Sequence, residues 1–272
     1  MYKDRNWGVE ILAFNNTDYI ESIINIFLPL VDKIAISINE KSWKGNINNS
    51  GEVEKLLIPY ISNKVILVKG KWKTEAEQRN KCLDALGECD YVFIVDDDEI
   101  WTSEQIHRMK DFILKHPGYT VFNSSWNTRF KNINWRVDPR EPFKPVVIIQ
   151  QKAGNIKTSK GIRFKENRII DNSNKNAWSC LIPEDVLIIE HFSYVRSQDV
   201  TIKEKIKTFS HATEIVNGPD FWYENIYLES DLRSRYLHPT NPECYDHLIE
   251  EKLHPEIKNS LLKYNKKLFD KD

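Results

Sequence analysis

Tyr91-Val92-Phe93-Ile94-Val95-Asp96-Asp97-Asp98-Glu99 decides how this chain is read. Five apolar residues without polar alternation have the composition of a strand buried on both faces. That run breaks abruptly into four carboxylates. In an open parallel sheet, ligands bind beyond the carboxyl ends of the strands, so the acids fall where a site would form. Four neighbouring carboxylates repel one another and raise each other's pKa unless a cation compensates. Mg2+ or Mn2+ would do so, because hard divalent ions take oxygen ligands and bridge carboxylates to a diphosphate. The competing reading is a solvated turn, or acids that cap the next helix and meet its dipole. Thr102 and Gln105 already form a capping pair for a helix starting near Ser103, which leaves the acids surplus to capping.

Outward from this strand, β-rich runs at 9–14, 34–38 and 65–68 alternate with helical patterns. Ile20, Ile23, Ile24 and Phe27 recur at helical spacing, as do Ile106, Met109 and Ile113. Asp18 with Glu21 and Thr74 with Glu77 fit the capping-box spacing. This rhythm predicts an α/β chain with a mostly parallel central sheet flanked by helices. After Gly118 the alternation weakens to a strand at 119–124 and a loop-rich stretch holding Trp126, Trp135, Pro139, Pro142 and Pro145. A second apolar run at 186–189 ends at Glu190-His191, and from Gly218 the composition turns aromatic and proline-rich. Ile257, Leu261, Leu262 and Leu268 then mark a terminal helix. One large domain over 1–217 and an appendage over 218–272 follow.

The 272 residues carry 40 acidic against 39 basic side chains, a formal charge of -1. No global field would draw the chain to nucleic acid or to an anionic membrane, so binding must be local. Cys82, Cys89, Cys180 and Cys244 include no CxxC pair and no dense spacing, and the expected setting is a reducing cytoplasm. Residues 1–7 are charged and lack the apolar core of a signal peptide. Every apolar run falls short of a membrane span, which leaves only peripheral contact with a membrane. His238, Cys244, His247 and His254 invite a zinc reading, but their spacing matches no common structural zinc pattern.

Two motifs in order, Glu75-Ala76-Glu77-Gln78-Arg79-Asn80 and then the strand ending in Asp96-Asp97-Asp98, resemble the GT-A fold of glycosyltransferase family 2. The resemblance returns at His191-Phe192-Ser193-Tyr194. It implies a Rossmann-like nucleotide-sugar-binding half (1–117), an acceptor-binding half (118–217) and a helical C-terminal appendage (218–272). The implied activity is hexosyl transfer, inverting in outcome, from a nucleotide-sugar, commonly UDP-linked, to a carbohydrate or other hydroxyl acceptor, with Mn2+ or Mg2+. By the same resemblance Asp96 contacts the ribose, Asp98 binds the metal, His191 completes the metal shell and Asp97 fills the middle position. Arg79, Asn80 and Arg196 are expected near the nucleotide, with Phe14 and Glu40 near the base. Plainer readings stand beside these. Arg79 also lies four residues from Glu75, at ion-pair spacing; Phe14 falls in a possible turn; His191 fits a hydrogen-bonded strand end. Lys203, Lys205 and Lys207 offer cations for a departing diphosphate, or a solvated helix face.

Such a transfer needs a base for the acceptor's proton. Asp171, Glu184 and Asp185 are the candidates, and Asp171 is preferred because Arg168-Ile169-Ile170-Asp171 resembles a family segment that ends in a catalytic acid. Trp126, Trp135 and Trp178 lie in polar stretches and are candidates for stacking an acceptor sugar. Two rivals use the same carboxylates: a metal-dependent nuclease or nucleotidyltransferase, and a protein that binds a nucleotide-sugar without turning it over. Donor sugar and acceptor are set by loop shape and are not written in these motifs.

Overall fold

The carboxylate run sits where two sheets meet. A computed structural model describes residues 5–45, 47–151, 162–171, 177–208 and 211–270. The first third builds four parallel strands, β1 (Trp7–Ala13), β2 (Lys33–Asn39), β3 (Val65–Gly70) and β4 (Tyr91–Asp96). Helices α1 (Ile20–Phe27), α2 (Glu52–Leu57) and α3 (Glu75–Ala85) connect them. After the short β5 (Glu99–Ile100) and α4 (Ser103–Lys115), the chain adds β6 (Val121–Asn123), β7 (Ser125–Phe130), β8 (Asn132–Asp138) and β9 (Val146–Gln150). Then come β10 (Phe164–Glu166), β11 (Ile169–Ile170), β12 (Ser179–Leu181) and β13 (Ile188–Tyr194). The end of the chain carries α5 (Asp199–Thr208), α6 (Pro219–Trp222), β14 (His247–Glu250) and α7 (Pro255–Tyr264).

The larger sheet runs β12-β6-β9-β4-β1-β2-β3, antiparallel only where β9 joins β4 and β6. The α/β class with a mostly parallel central sheet is therefore as the sequence implies. The second sheet runs β14-β8-β7-β13-β5. β4 ends the parallel set at Asp96, and β5 begins the second sheet at Glu99, which pairs with His191 on β13. Asp97 and Asp98 are thus the step from one sheet to the other.

Apolar burial holds this junction rigid. Phe93 on β4 packs at 5.5 Å from both Phe27 of α1 and Trp101, and all three rings are fully buried. Each such side chain contributes on the order of 2 kcal/mol by leaving water. On the opposite face of the larger sheet, Ala76, Cys82, Leu83 and Leu86 of the α3 region cover Val92 and Ile94.

Three local expectations change. α4 has the full Thr102–Gln105 capping box and Thr74 caps α3, but α1 begins after Tyr19 with no side-chain cap. Asp18 instead accepts from Ser197 N (2.9 Å), Ser197 Oγ (2.7 Å) and Asn265 Nδ2 (2.7 Å), tying three distant segments together. The loop expected after residue 124 is instead the β7–β8 hairpin, turning at Lys131 with φ 61. The segment 218–272 is also more than a helical appendage. Its β14 extends the second sheet beside β8, and Leu253, Ile257, Leu261 and Leu268 join the same core as Phe93. No helix among the described residues is long and apolar enough to cross a membrane.

Candidate active site

Asp96 is held between two guanidinium groups. Its Oδ1 lies 2.6 Å from Arg79 Nη2 and its Oδ2 lies 3.0 Å from Arg168 Nη2. Burial alone would raise its pKa, but Arg168 and then Arg79 overcome that and hold it at about 2. Arg79 reaches this position from α3, with no exposed surface, and also pairs with Glu10 (2.9 Å) and Glu75 (2.7 Å). Glu10 points from the middle of β1, and burial pushes it up to about 7 against the pull of Arg79. Arg79 thus makes the local ion pair with Glu75 and also holds Asp96.

Asp98 faces a different set. Its Oδ2 accepts from Arg196 Nη2 (2.9 Å) and Lys205 Nζ (2.8 Å), while its Oδ1 stands 3.6 Å from His191 Nε2. Burial opposes ionisation, yet Lys205, His191 and Arg196 hold Asp98 well below the usual carboxylate range. The two acids between and after these are the reverse. Asp97 accepts from Asn16 Nδ2 (3.2 Å) and Phe14 N (3.3 Å), and burial with the charge of Asp98 pushes it up to about 7. Glu99 accepts from Trp126 Nε1 (2.9 Å) and Arg168 Nη2 (2.8 Å), and burial raises it to about 7 against Arg168. Asp96 and Asp98 are therefore fixed anions, while their two neighbours titrate near neutrality.

His191 is buried, and desolvation lowers its pKa to about 4 despite Asp98. A neutral imidazole is the form that binds metal. The ring stacks on Trp126 at 4.2 Å, and its Nδ1 lies 3.4 Å from Thr128 Oγ1, a contact that fixes ring orientation. An ionised carboxylate oxygen and an imidazole nitrogen facing each other form a donor pair suited to Mn2+. Among the described residues no group of three His, Cys, Asp or Glu side chains could hold a metal ion. Asp98 and His191 would supply two donors to such an ion.

Other expected site residues are placed unevenly. Trp126 lies at the centre, with Glu99, His191 and the Arg168 guanidinium (5.7 Å) around it. Trp135 instead packs in the cluster beneath 215–248, and Trp178, 64% exposed, immediately precedes the edge strand β12. Phe14 borders Asp97 through its amide, and Glu40 pairs with Lys71 (3.2 Å) at the end of β2. Asn80 is turned away from the acids. Its amide donates to Phe164 O and accepts from Phe164 N, both at 2.9 Å, clamping α3 to β10. Asp171 follows β11, its amide bonded to Arg163 O (2.9 Å). Glu184 bonds Ser125 Oγ (2.8 Å) and Arg140 (3.2 Å), and the carbonyl of Asp185 accepts from Arg108 (2.6 Å). Ser125 and Trp126 alternate along β7, so Glu184 meets the face opposite His191. The histidines of the zinc reading have local partners: His238 Nδ1 accepts from Asn241 N (2.9 Å), His247 pairs with Asp246 (3.0 Å), and His254 caps α7.

Glu10, Arg168 and the specific choice of Lys205 were not assigned roles from the sequence. A glutamate inside the apolar run Val9-Glu10-Ile11 is the one signal available, since a buried carboxylate demands a buried cation.

No protein-family model matches the chain, and no curated protein matches it. Among solved structures it matches glucosyl-3-phosphoglycerate synthase from Mycobacterium tuberculosis in complex with Mn2+, UDP and glucosyl-3-phosphoglycerate. That match has 18% identity, covers 46% of this chain and 45% of that one, and has a TM-score of 0.34. It also matches S. aureus TarS 1–349, at 14% identity over 75% of this chain and 66% of that one, with a TM-score of 0.45. The chain thus spans less than half the length of the synthase.

Proposed function

We propose that the chain is a metal-dependent, inverting glycosyltransferase that moves a sugar from a nucleotide-sugar, UDP-linked in the first instance, to a hydroxyl acceptor. The observation that carries this reading is the division of the acidic run. Ionised Asp98 faces neutral His191 across 3.6 Å, with two cations on its other oxygen, at the carboxyl end of a parallel strand. Asp98 and His191 would hold Mn2+ or Mg2+, which would supply charge stabilisation for the leaving diphosphate.

The chain's own residues do the rest. Arg79 and Arg168 fix both oxygens of Asp96, so this carboxylate is presented in one orientation to a ribose hydroxyl. Asn16 and the Phe14 amide hold Asp97 against the base-binding side. Arg196 and Lys205 bring positive charge to the place where the diphosphate leaves. Trp126 offers an aromatic wall on the acceptor side, and Asp171 is the proposed base, taking the acceptor's proton as the sugar–oxygen bond forms. The four cysteines are thiols and not disulfides, which suits work in a reducing cytoplasm.

The test is incubation with a panel of nucleotide-sugars and Mn2+, reading free nucleoside diphosphate by chromatography. Release that needs Mn2+ and disappears in Asp98→Ala supports the reading. Cleavage of a nucleoside triphosphate or phosphodiester instead would favour the nucleotidyl chemistry. Tight nucleotide-sugar binding without turnover under any acceptor would favour a binding protein.

A further inference from the structure

The two cations on Asp98 Oδ2 are held in different ways. Arg196 is pinned: it is 4% exposed, its Nη1 donates to Phe192 O (2.5 Å) and Val195 O (2.8 Å), and its guanidinium lies over Tyr19. Lys205 reaches in from α5 with 28% of its side chain still exposed, and its other partners are Ser193 O (3.0 Å) and Ser193 Oγ (2.7 Å). An ammonium on a flexible stem, with three rotatable donors, can change partners without moving its helix. The neighbouring lysines of α5 are engaged elsewhere, Lys203 with Asp220 and Glu224 and Lys207 with Asp220. Lys205 is the lysine of this helix that turns to the acidic run.

The charge balance gives this contact a consequence. Asp98 Oδ2 already carries two full positive charges, so a divalent ion arriving alone competes with Arg196 and Lys205 for this carboxylate. A diphosphate brings the missing negative charge. We propose that Lys205 is a displaceable counter-ion of Asp98, which passes to the diphosphate when the donor binds, so that divalent cation and nucleoside diphosphate bind strongly only together. Arg196 stays on Asp98 throughout. This rests on the reading of the site as one for a diphosphate-linked donor.

Binding of Mn2+ followed by electron paramagnetic resonance, with and without UDP, tests it on wild type, Lys205→Gln and Lys205→Arg. In wild type, UDP should tighten Mn2+ binding by about tenfold or more, and Mn2+ should tighten UDP equally, because coupling is reciprocal. Lys205→Gln should bind Mn2+ alone about tenfold more tightly than wild type, with the UDP-dependent gain shrinking toward one. Lys205→Arg, which keeps the charge, should keep the coupling. Thermal melts of both variants check the fold. Unchanged Mn2+ affinity in Lys205→Gln overturns the role of Lys205 and leaves the donor reading standing. Tighter Mn2+ in that variant, with no UDP binding by any form, supports Lys205 as counter-ion and overturns the donor reading.

Discussion

Trp126 Nε1 donates a 2.9 Å hydrogen bond to Glu99 Oε1, joining the middle of the second sheet to the last acid of the run that ends the first. The same indole stacks on His191. One side chain thus sets the position of a buried carboxylate and of the imidazole facing Asp98. The aromatic expected to serve an acceptor is also part of the frame that holds the acids.

Trp126→Phe separates these roles. It keeps a ring for His191 and removes the donor to Glu99, leaving one oxygen of a buried acid short of a partner. The expected cost is about 1–3 kcal/mol of stability in urea unfolding. A loss below about 0.5 kcal/mol would show that the bond contributes nothing net.

Arg79 is surrounded by Glu10, Glu75 and Asp96 with no exposed surface of its own. Arg79→Met removes the cation and strands those acids, at a cost of about 3–5 kcal/mol. Arg79→Lys should recover only part of it, since an ammonium cannot reproduce the planar fork. Adding Glu10→Gln to Arg79→Met should restore stability, because the removed acid is the one without any exposure. An additive double variant would contradict the coupling of the two.

Asn80 gives a sharper contrast between sequence and structure. Its position after Arg79 suggests the nucleotide, yet both ends of its amide hold the Phe164 backbone, and four residues later the same segment supplies Arg168 to Asp96 and Glu99. Asn80→Ala should cost about 1–3 kcal/mol. It should raise KM for the donor, because it acts through the placement of Arg168 on Asp96, the proposed ribose contact. An unchanged donor KM would show that Asn80 does not act on Asp96 through Arg168.

The parallel strands and their helices were legible because each carries its own period and punctuation: apolar runs for β1 to β4, interrupted in β1 by Glu10 and in β2 by Ser37, and Thr74 and Thr102 at helix starts. The second sheet was not. Trp126, Thr128 and Phe130 do alternate with polar residues, which is a strand signature. The prolines that suggest a loop, Pro139, Pro142 and Pro145, all lie beyond the end of β8 at Asp138. The acidic run announced the site, but its division into fixed and titrating acids depends on Arg168, Arg196 and Lys205. These residues are 70 or more positions from the acids they pair with, apart from Glu99 with Arg168 at 69, and no local pattern links them.

Four buried acids make stability fall as pH rises from about 4 to 8, offset in part between about pH 4 and 6.5 by His191 and His238, which burial lowers to about 4. Burial raises Glu10, Asp97 and Glu99 to about 7, and Glu141 to about 8 against the Thr128 hydroxyl, Lys205 and Lys144. The folded chain keeps these protons where the unfolded chain, with carboxyl pKa values near 4, has released them. Their contribution is complete below about pH 4 and is lost as pH climbs through their folded values. Asp96, held at about 2, runs the other way: its contribution is present above about pH 4 and is lost toward about pH 2. Glu141 lies outside the acidic run and accepts the Tyr245 hydroxyl, so Glu141→Gln keeps an acceptor there while removing the titration. Melting curves should show the variant more stable than wild type at pH 9, on the order of 1–3 kcal/mol, and nearly equal to it at pH 5. Parallel pH profiles for the two proteins would mean that Glu141 does not hold its proton in the folded state.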